Sequence, residues 1–184
     1  MGPGIVARGR PGRGLVLIGY RGTGKSTVGR IVAERSGRRF VDADREIEAR
    51  SGRSIRSIFD EGGEAAFRDR EERTLAELVA EAPGAVLATG GGAVVREINR
   101  RRLRDFGFIA WLTADPAELA RRLSVDESGL ADRPALTAAG TLAEIARVLA
   151  DRTSLYRGLA DAIVPTDGRD PRDVAEAVLG CWTP

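Results

Sequence analysis

Apolar residues in this chain gather into five short continuous runs, and between them they recur every three or four positions. "LVLIG" (15–19), "RFVDAD" (39–44), "AVLATGGGAVV" (85–95), "FGFIAWLTAD" (106–115) and "DAIVPT" (161–166) each predict a strand of the buried type. After the first run, "VGRIVAERSG" places Val28, Ile31 and Val32 on one side and stops at Gly37, a strand, glycine loop and helix in succession. "REIEARSG" (45–52) and "SIRSIFDEGG" (54–63) predict short helical pieces. "EAAFRDREERTLAELVAEAPG" (64–84) predicts a longer helix with Ala66, Leu75, Leu78 and Val79 on its apolar side, closed by Pro83 and Gly84. Pro116 opens another helix, "PAELARRL". "TLAEIARVLADRTSLYRGLA" (141–160) and "DPRDVAEAVLGCW" (170–182) predict the last two.

Strands of this kind alternating with helices predict an α/β fold, a central parallel sheet of about five strands covered by helices on both faces. "SVDESGLADRPALTAAG" (124–140) is polar and without periodicity, so it reads as a mobile loop. The start, "MGPGIVARGRPGRG", lacks the apolar stretch of a secretory signal and reads as a flexible tail over 1–13, leaving 14–184 as a single domain.

Composition narrows the function. The 184 residues carry no histidine, which excludes imidazole bases and ligands, and one cysteine, Cys181, which excludes an internal disulfide and fits a reducing, cytoplasmic setting. No apolar run approaches the length of a membrane span. Net charge is only +2, so bulk charge does not point to nucleic acid, and the cluster "NRRRLRDF" (99–106) reads as the solvated side of a helix. Of the 29 basic residues a single one, Lys25, is lysine.

That lysine stands in "GYRGTGKS", which satisfies G-x-x-x-x-G-K-[ST] in the required strand-to-helix setting. In such a loop, backbone N–H groups and the helix N-terminus cradle phosphate. Lys25 is predicted to reach the β- and γ-phosphates and Ser26 to ligate Mg²⁺, with Gly22, Thr23, Gly24 and Thr27 completing the nucleotide site. Arginine's broad planar fork is a poor substitute for an ammonium there. The chain's size favours a GTPase or a small kinase, and with its one lysine in the loop no N-K-x-D guanine motif exists.

Two more groups fall at the carboxyl ends of strands, where open α/β sheets bind ligands. Asp42 and Asp44 share one face of an extended segment; they suit a metal's water shell and an attacking hydroxyl, with Asp44 as a helix cap the simpler alternative. Gly90, Gly91 and Gly92 clear space and expose backbone N–H groups.

Taken in order, "GYRGTGKSTVGR", "FVDADREIEARSGRSIRSIFDEGGEAAFRDRE", "TGGGAV", "ADRPAL" and "DRTSLYRGLAD" resemble shikimate kinase from about Leu15 to the closing helix. The resemblance implies a P-loop kinase fold with a mobile lid at about 124–136. It also implies ATP-dependent, Mg²⁺-requiring phosphorylation of the 3-hydroxyl of shikimate in aromatic amino acid biosynthesis, by a monomer whose partners are small molecules. By position, it gives Asp42 to the metal through water, Asp44 to the reacting hydroxyl as base or orienting group, and Arg68 and Arg152 to the shikimate carboxylate. It lines the same pocket with the three glycines, brings Arg133 over the phosphates from the lid, and sets Arg169 on the adenine side. The chain departs from the family in Ala135, where a leucine is usual, and in the long stretch from Arg122 to Arg133. A gluconate kinase-like enzyme and a nucleotide-dependent binding module remain as alternatives.

Overall fold

The computed structural model describes residues 14–125 and 141–182. Its strands are β1 (Gly14–Ile18), β2 (Phe40–Asp42), β3 (Val86–Ala88), β4 (Gly107–Thr113) and β5 (Ala162–Pro165). They form one parallel sheet in the order β2-β3-β1-β4-β5. The helices are α1 (Lys25–Ser36), α2 (Ala43–Ser51), α3 (Ile55–Glu81), α4 (Glu97–Phe106), α5 (Pro116–Val125), α6 (Thr141–Leu159) and α7 (Pro171–Cys181).

Because the sheet is covered on both sides, β1 and β4 carry apolar residues on both faces. Val16, Ile18, Ile109 and Trp111 pack with Leu75 and Leu78 of α3, Leu103 of α4 and Tyr156 of α6. Leu15, Leu17, Phe108 and Leu112 pack on the other side with Val28 and Val32 of α1 and Val174 and Val178 of α7. The two sets alternate along each strand, the period of two that a sheet imposes.

The chain leaves β1 toward β2 and returns to β3, then crosses over β1 to β4. Connections thus run in opposite directions from the middle of the sheet, which opens a crevice at its carboxyl edge. The glycine loop after β1, Asp42 at the end of β2 and the three glycines after β3 all lie at that edge.

The two helical pieces expected at 54–63 and 64–84 are present as the two halves of α3, parted by non-helical backbone at Gly63 (φ 68°, ψ −170°). One local detail differs from the sequence expectation. The N-cap of α2 is Asp42, whose carboxylate accepts from the Asp44 N–H at 3.2 Å, so Asp44 does not cap the helix. Its side chain lines the crevice. The expected lid begins inside α5, which continues through Ser124 and Val125; the rest of the lid and the expected tail lie outside the described residues.

Candidate active site

The loop from Gly19 to Ser26 turns on itself, with Gly22 and Gly24 in left-handed backbone, and feeds directly into α1. Lys25 is 9% exposed, and its ammonium donates to the carbonyl oxygens of Gly19 (2.9 Å) and Tyr20 (2.7 Å). Thr23 Oγ1 donates to the same Tyr20 carbonyl at 2.8 Å. The loop is therefore closed around a compact cation, and the solitary lysine has a steric reason as well as an electrostatic one. One residue on, the Ser26 hydroxyl donates to Asp42 Oδ2 at 2.5 Å, joining β2 to the first turn of α1. A hydroxyl and a carboxylate side by side beside a phosphate loop fit Mg²⁺, a hard cation that prefers oxygen. Among the described residues no group of three or more His, Cys, Asp or Glu gathers to hold a metal. A cation held here would need its remaining ligands from phosphate and water.

Beside the loop lies a cleft of about 430 Å³ bounded by Gly22, Gly24 and Thr27 on one side and by Thr166, Arg169 and Pro171 on the other. Arg122 spans its wall, donating to Gly22 O (3.2 Å), Thr166 Oγ1 (2.9 Å) and Thr166 O (2.8 Å). Glu118 receives both Arg121 and Arg122, whose hydrogen bonds pull its carboxyl down to about 2. Arg169 sits at the mouth, held by the carbonyl oxygens of Pro165 and Asp173.

A second cleft, of about 210 Å³, opens on the other side of the loop. Asp44, Arg68, Gly90, Gly91, Gly92 and Arg152 all line it, from α2, α3, the glycine turn and α6. Arg68 fits because Gly92 has no side chain: a Cβ there would lie 2.2 Å from the guanidinium. Its Nη1 donates to Glu71 Oε2 at 2.6 Å, and Nε and Nη2 reach Glu64. Burial opposes the charge of Arg68, but Glu71 first and Glu64 second outweigh it and hold the guanidinium above its ordinary pKa. Two carboxylate oxygens, Asp44 Oδ1 and Glu71 Oε1, converge over Gly90, where a Cβ would lie 2.7 and 2.9 Å from them. Asp44 is thus brought to the floor of a cleft whose walls carry guanidiniums, and the whole lies against the phosphate loop.

Of the sequence-predicted residues, Gly22, Thr23, Gly24, Thr27 and Arg169 line the first cleft and Asp44, Arg68, Gly90, Gly91, Gly92 and Arg152 the second. Lys25, Ser26 and Asp42 belong to the loop and the end of β2 and line neither cleft, and Arg133 lies outside the described residues. The structure adds three that the sequence reading missed. Arg21 lines the acceptor-side cleft from an unspecified position of the loop motif, so the motif itself gave no signal. Glu71, 1% exposed, stands three residues after Arg68, and that helical spacing was the available signal. Tyr156, four residues after Arg152, was hidden by its apolar neighbours. The arginines of "NRRRLRDF" are engaged within the fold: Arg100 with Val94 and Val95 carbonyls, Arg101 with Glu97, Arg102 with Glu72 and Arg104 with the Gly158 carbonyl. Among the described residues no helix is long and apolar enough to cross a membrane.

A phosphate loop at the carboxyl edge of a parallel sheet, shared by a nucleotide-sized cleft and a charged acceptor cleft, defines a P-loop small-molecule kinase. The sequence pattern of the family described as shikimate kinase matches residues 21–182, and the chain belongs to that family. A shikimate kinase of Pseudomonas fluorescens is 45% identical over 167 residues, 91% of this chain and 94% of that protein. The solved structure of an Acinetobacter baumannii shikimate kinase in complex with shikimate superposes with a TM-score of 0.84 at 36% identity, covering 91% of this chain and 90% of that one. A gluconokinase from Sinorhizobium meliloti, 19% identical with a TM-score of 0.59, shares the fold alone, over 94% of this chain and 93% of its own.

Proposed function

We propose that this chain transfers the γ-phosphoryl group of ATP to the 3-hydroxyl of shikimate, giving shikimate 3-phosphate and ADP in aromatic amino acid biosynthesis. The observation that carries this reading is that Asp44, Arg68 and Arg152 line one cleft together with Tyr20 and Arg21 of the phosphate loop. The two guanidiniums suit one carboxylate by charge-assisted, bidentate pairing, while Asp44 accepts a hydrogen bond from the hydroxyl to be phosphorylated. A relative solved with shikimate bound supports the choice of acceptor.

The transfer is direct. The acceptor oxygen forms its bond to γ-phosphorus as the bond to the bridging oxygen of ADP breaks, and the hydroxyl proton departs toward Asp44 or water. The chain's part is positioning and charge neutralisation. The loop N–H groups of Gly22 to Thr27 and the Lys25 ammonium bind the phosphates, and Arg169 borders the adenine. Ser26 and Asp42 would hold Mg²⁺, which would supply neutralisation of phosphate charge when bound. To Arg133, which lies outside the described residues, we assign the role the family resemblance implies, covering the phosphates and excluding water so that ATP is not spent on hydrolysis. A monomer in a reducing cytoplasm fits the free, buried Cys181.

The test is coupled ADP release with MgATP, with and without shikimate, and with gluconate and quinate as comparison acceptors. Stimulation by shikimate of at least about a hundredfold over the other two is the expected result, the ratio expected when a site built for specific hydrogen bonds meets the wrong acceptor. Equal stimulation by gluconate, or none by any acceptor, overturns the assignment.

A further inference from the structure

The carbonyl of Gly91 is gripped from one side and packed from the other. The Tyr156 hydroxyl donates to it in a short hydrogen bond, and Arg152 Nη1 lies 3.4 Å from the same oxygen. On the opposite side Gly91 rests on the phosphate loop: a Cβ there would be 3.3 Å from the Arg21 nitrogen and 3.4 Å from the Gly19 carbonyl oxygen. Tyr156 is wholly buried and stacks on Trp111 of β4, ring centroids 5.5 Å apart and planes 21° from parallel. Burial and stacking restrict the tyrosine ring, and its hydroxyl meets the Gly91 carbonyl and the Arg152 guanidinium.

We infer that Tyr156 is a positioning residue for the acceptor site: by occupying the Gly91 carbonyl, it fixes the turn of Gly90 to Gly92 and leaves the Arg152 guanidinium available to the acceptor carboxylate. This rests on the functional reading above. The peptide from Gly91 to Gly92 is planar and trans, so a carbonyl turned toward α6 sends the Gly92 N–H the other way. The orientation of that peptide therefore decides what the glycine turn presents. Burial pushes the Tyr156 hydroxyl up to about 12 against the opposing influence of Arg152, so it stays a protonated donor wherever the kinase works. Without that donor, the Gly91 oxygen keeps only the long 3.4 Å hydrogen bond from Arg152 Nη1 of the two side-chain bonds described. Such an acceptor draws the guanidinium in, because leaving it unmade is the costlier state. The arginine is then spent on the backbone instead of the substrate.

The experiment compares wild type, Tyr156→Phe and Trp111→Phe. ADP release by the wild type comes first; a wild type that does not respond to shikimate overturns the functional reading independently of the variants. Tyr156→Phe is expected to raise the shikimate KM about tenfold, the loss of one hydrogen bond, with the ATP KM within about twofold of wild type. Hydrogen exchange in the 89–95 segment is expected to quicken in the same variant, while exchange in β1 is unchanged. Trp111→Phe keeps the hydroxyl while loosening the packing, and its shikimate KM is expected to stay within about twofold. The inference is overturned if Tyr156→Phe leaves the shikimate KM or the 89–95 exchange unchanged. It is also overturned if both substrates' KM values rise together, or if Trp111→Phe matches the tyrosine variant, since either pattern is mere loosening of the core.

Discussion

Lys25 shows how far one side chain can be argued from its chemistry. Its Nζ sits 2.9 and 2.7 Å from two loop carbonyls, inside a turn too tight for a planar fork with five donors. Lys25→Arg keeps the charge and is nonetheless expected to lower kcat/KM by at least about a hundredfold, comparable to the loss of a preorganised electrostatic donor. Thermal unfolding should show a folded protein, and a variant within tenfold of wild type would show that charge alone suffices. The lysine, the two aspartates and the glycines were legible in the sequence because phosphate chemistry restricts those positions to a few residue types. Glu71 was not, since a carboxylate on a charged helix looks like surface until the fold shows it 1% exposed beneath Arg68. Tyr156 reads as a core aromatic, and it is one; only the position of its hydroxyl against Gly91 reveals a second task.

Helix α3 carries a comparable division within one element. Its first turns pack Ile55 and Ile58 against Ile47 of α2 in a small separate core, with Phe59 stacked on Phe67 at 4.6 Å. Its later turns pack Leu75 and Leu78 on the sheet. The kink between the two lies at Gly63, whose φ of 68° with ψ of −170° is open to glycine and strained for other residues. The sequence expectation of two helical pieces found this break, because adjacent glycines are poor helix formers. A Cβ at Gly63 meets no atom within 4 Å, so any penalty of substitution there is conformational rather than steric crowding. Gly63→Ala is accordingly expected to cost about 1–3 kcal/mol, measurable by urea unfolding. The acceptor KM should rise with it, because Phe59 before the kink and Arg68 after it line the same cleft. A variant as stable as wild type would mean that the helix straightens without penalty.

Across the whole molecule, the charge inventory sets how the fold meets pH. With no histidine, no side chain of ordinary pKa changes charge between about pH 5 and 8, so stability should be level there. The alkaline side differs, because burial raises both the Tyr156 hydroxyl, from 10.0 to about 12, and the Cys181 thiol. Each group is neutral when protonated and releases its proton more easily in the unfolded chain. Stability from Tyr156 is therefore complete below pH 10 and is lost as the pH climbs from 10 through 12. Cys181 acts in the same direction from a lower starting pH, so the tyrosine must be isolated by difference. The stability gap between wild type and Tyr156→Phe, measured by urea unfolding at pH 9, 10 and 11, is expected to narrow by about 1.4 kcal/mol at the highest pH. A gap that stays constant over that range would mean that the hydroxyl titrates alike in both states, and that water reaches it in the folded protein. Such access would loosen the hold on Gly91, so the alkaline limit of stability and the shape of the acceptor site depend on the same buried oxygen.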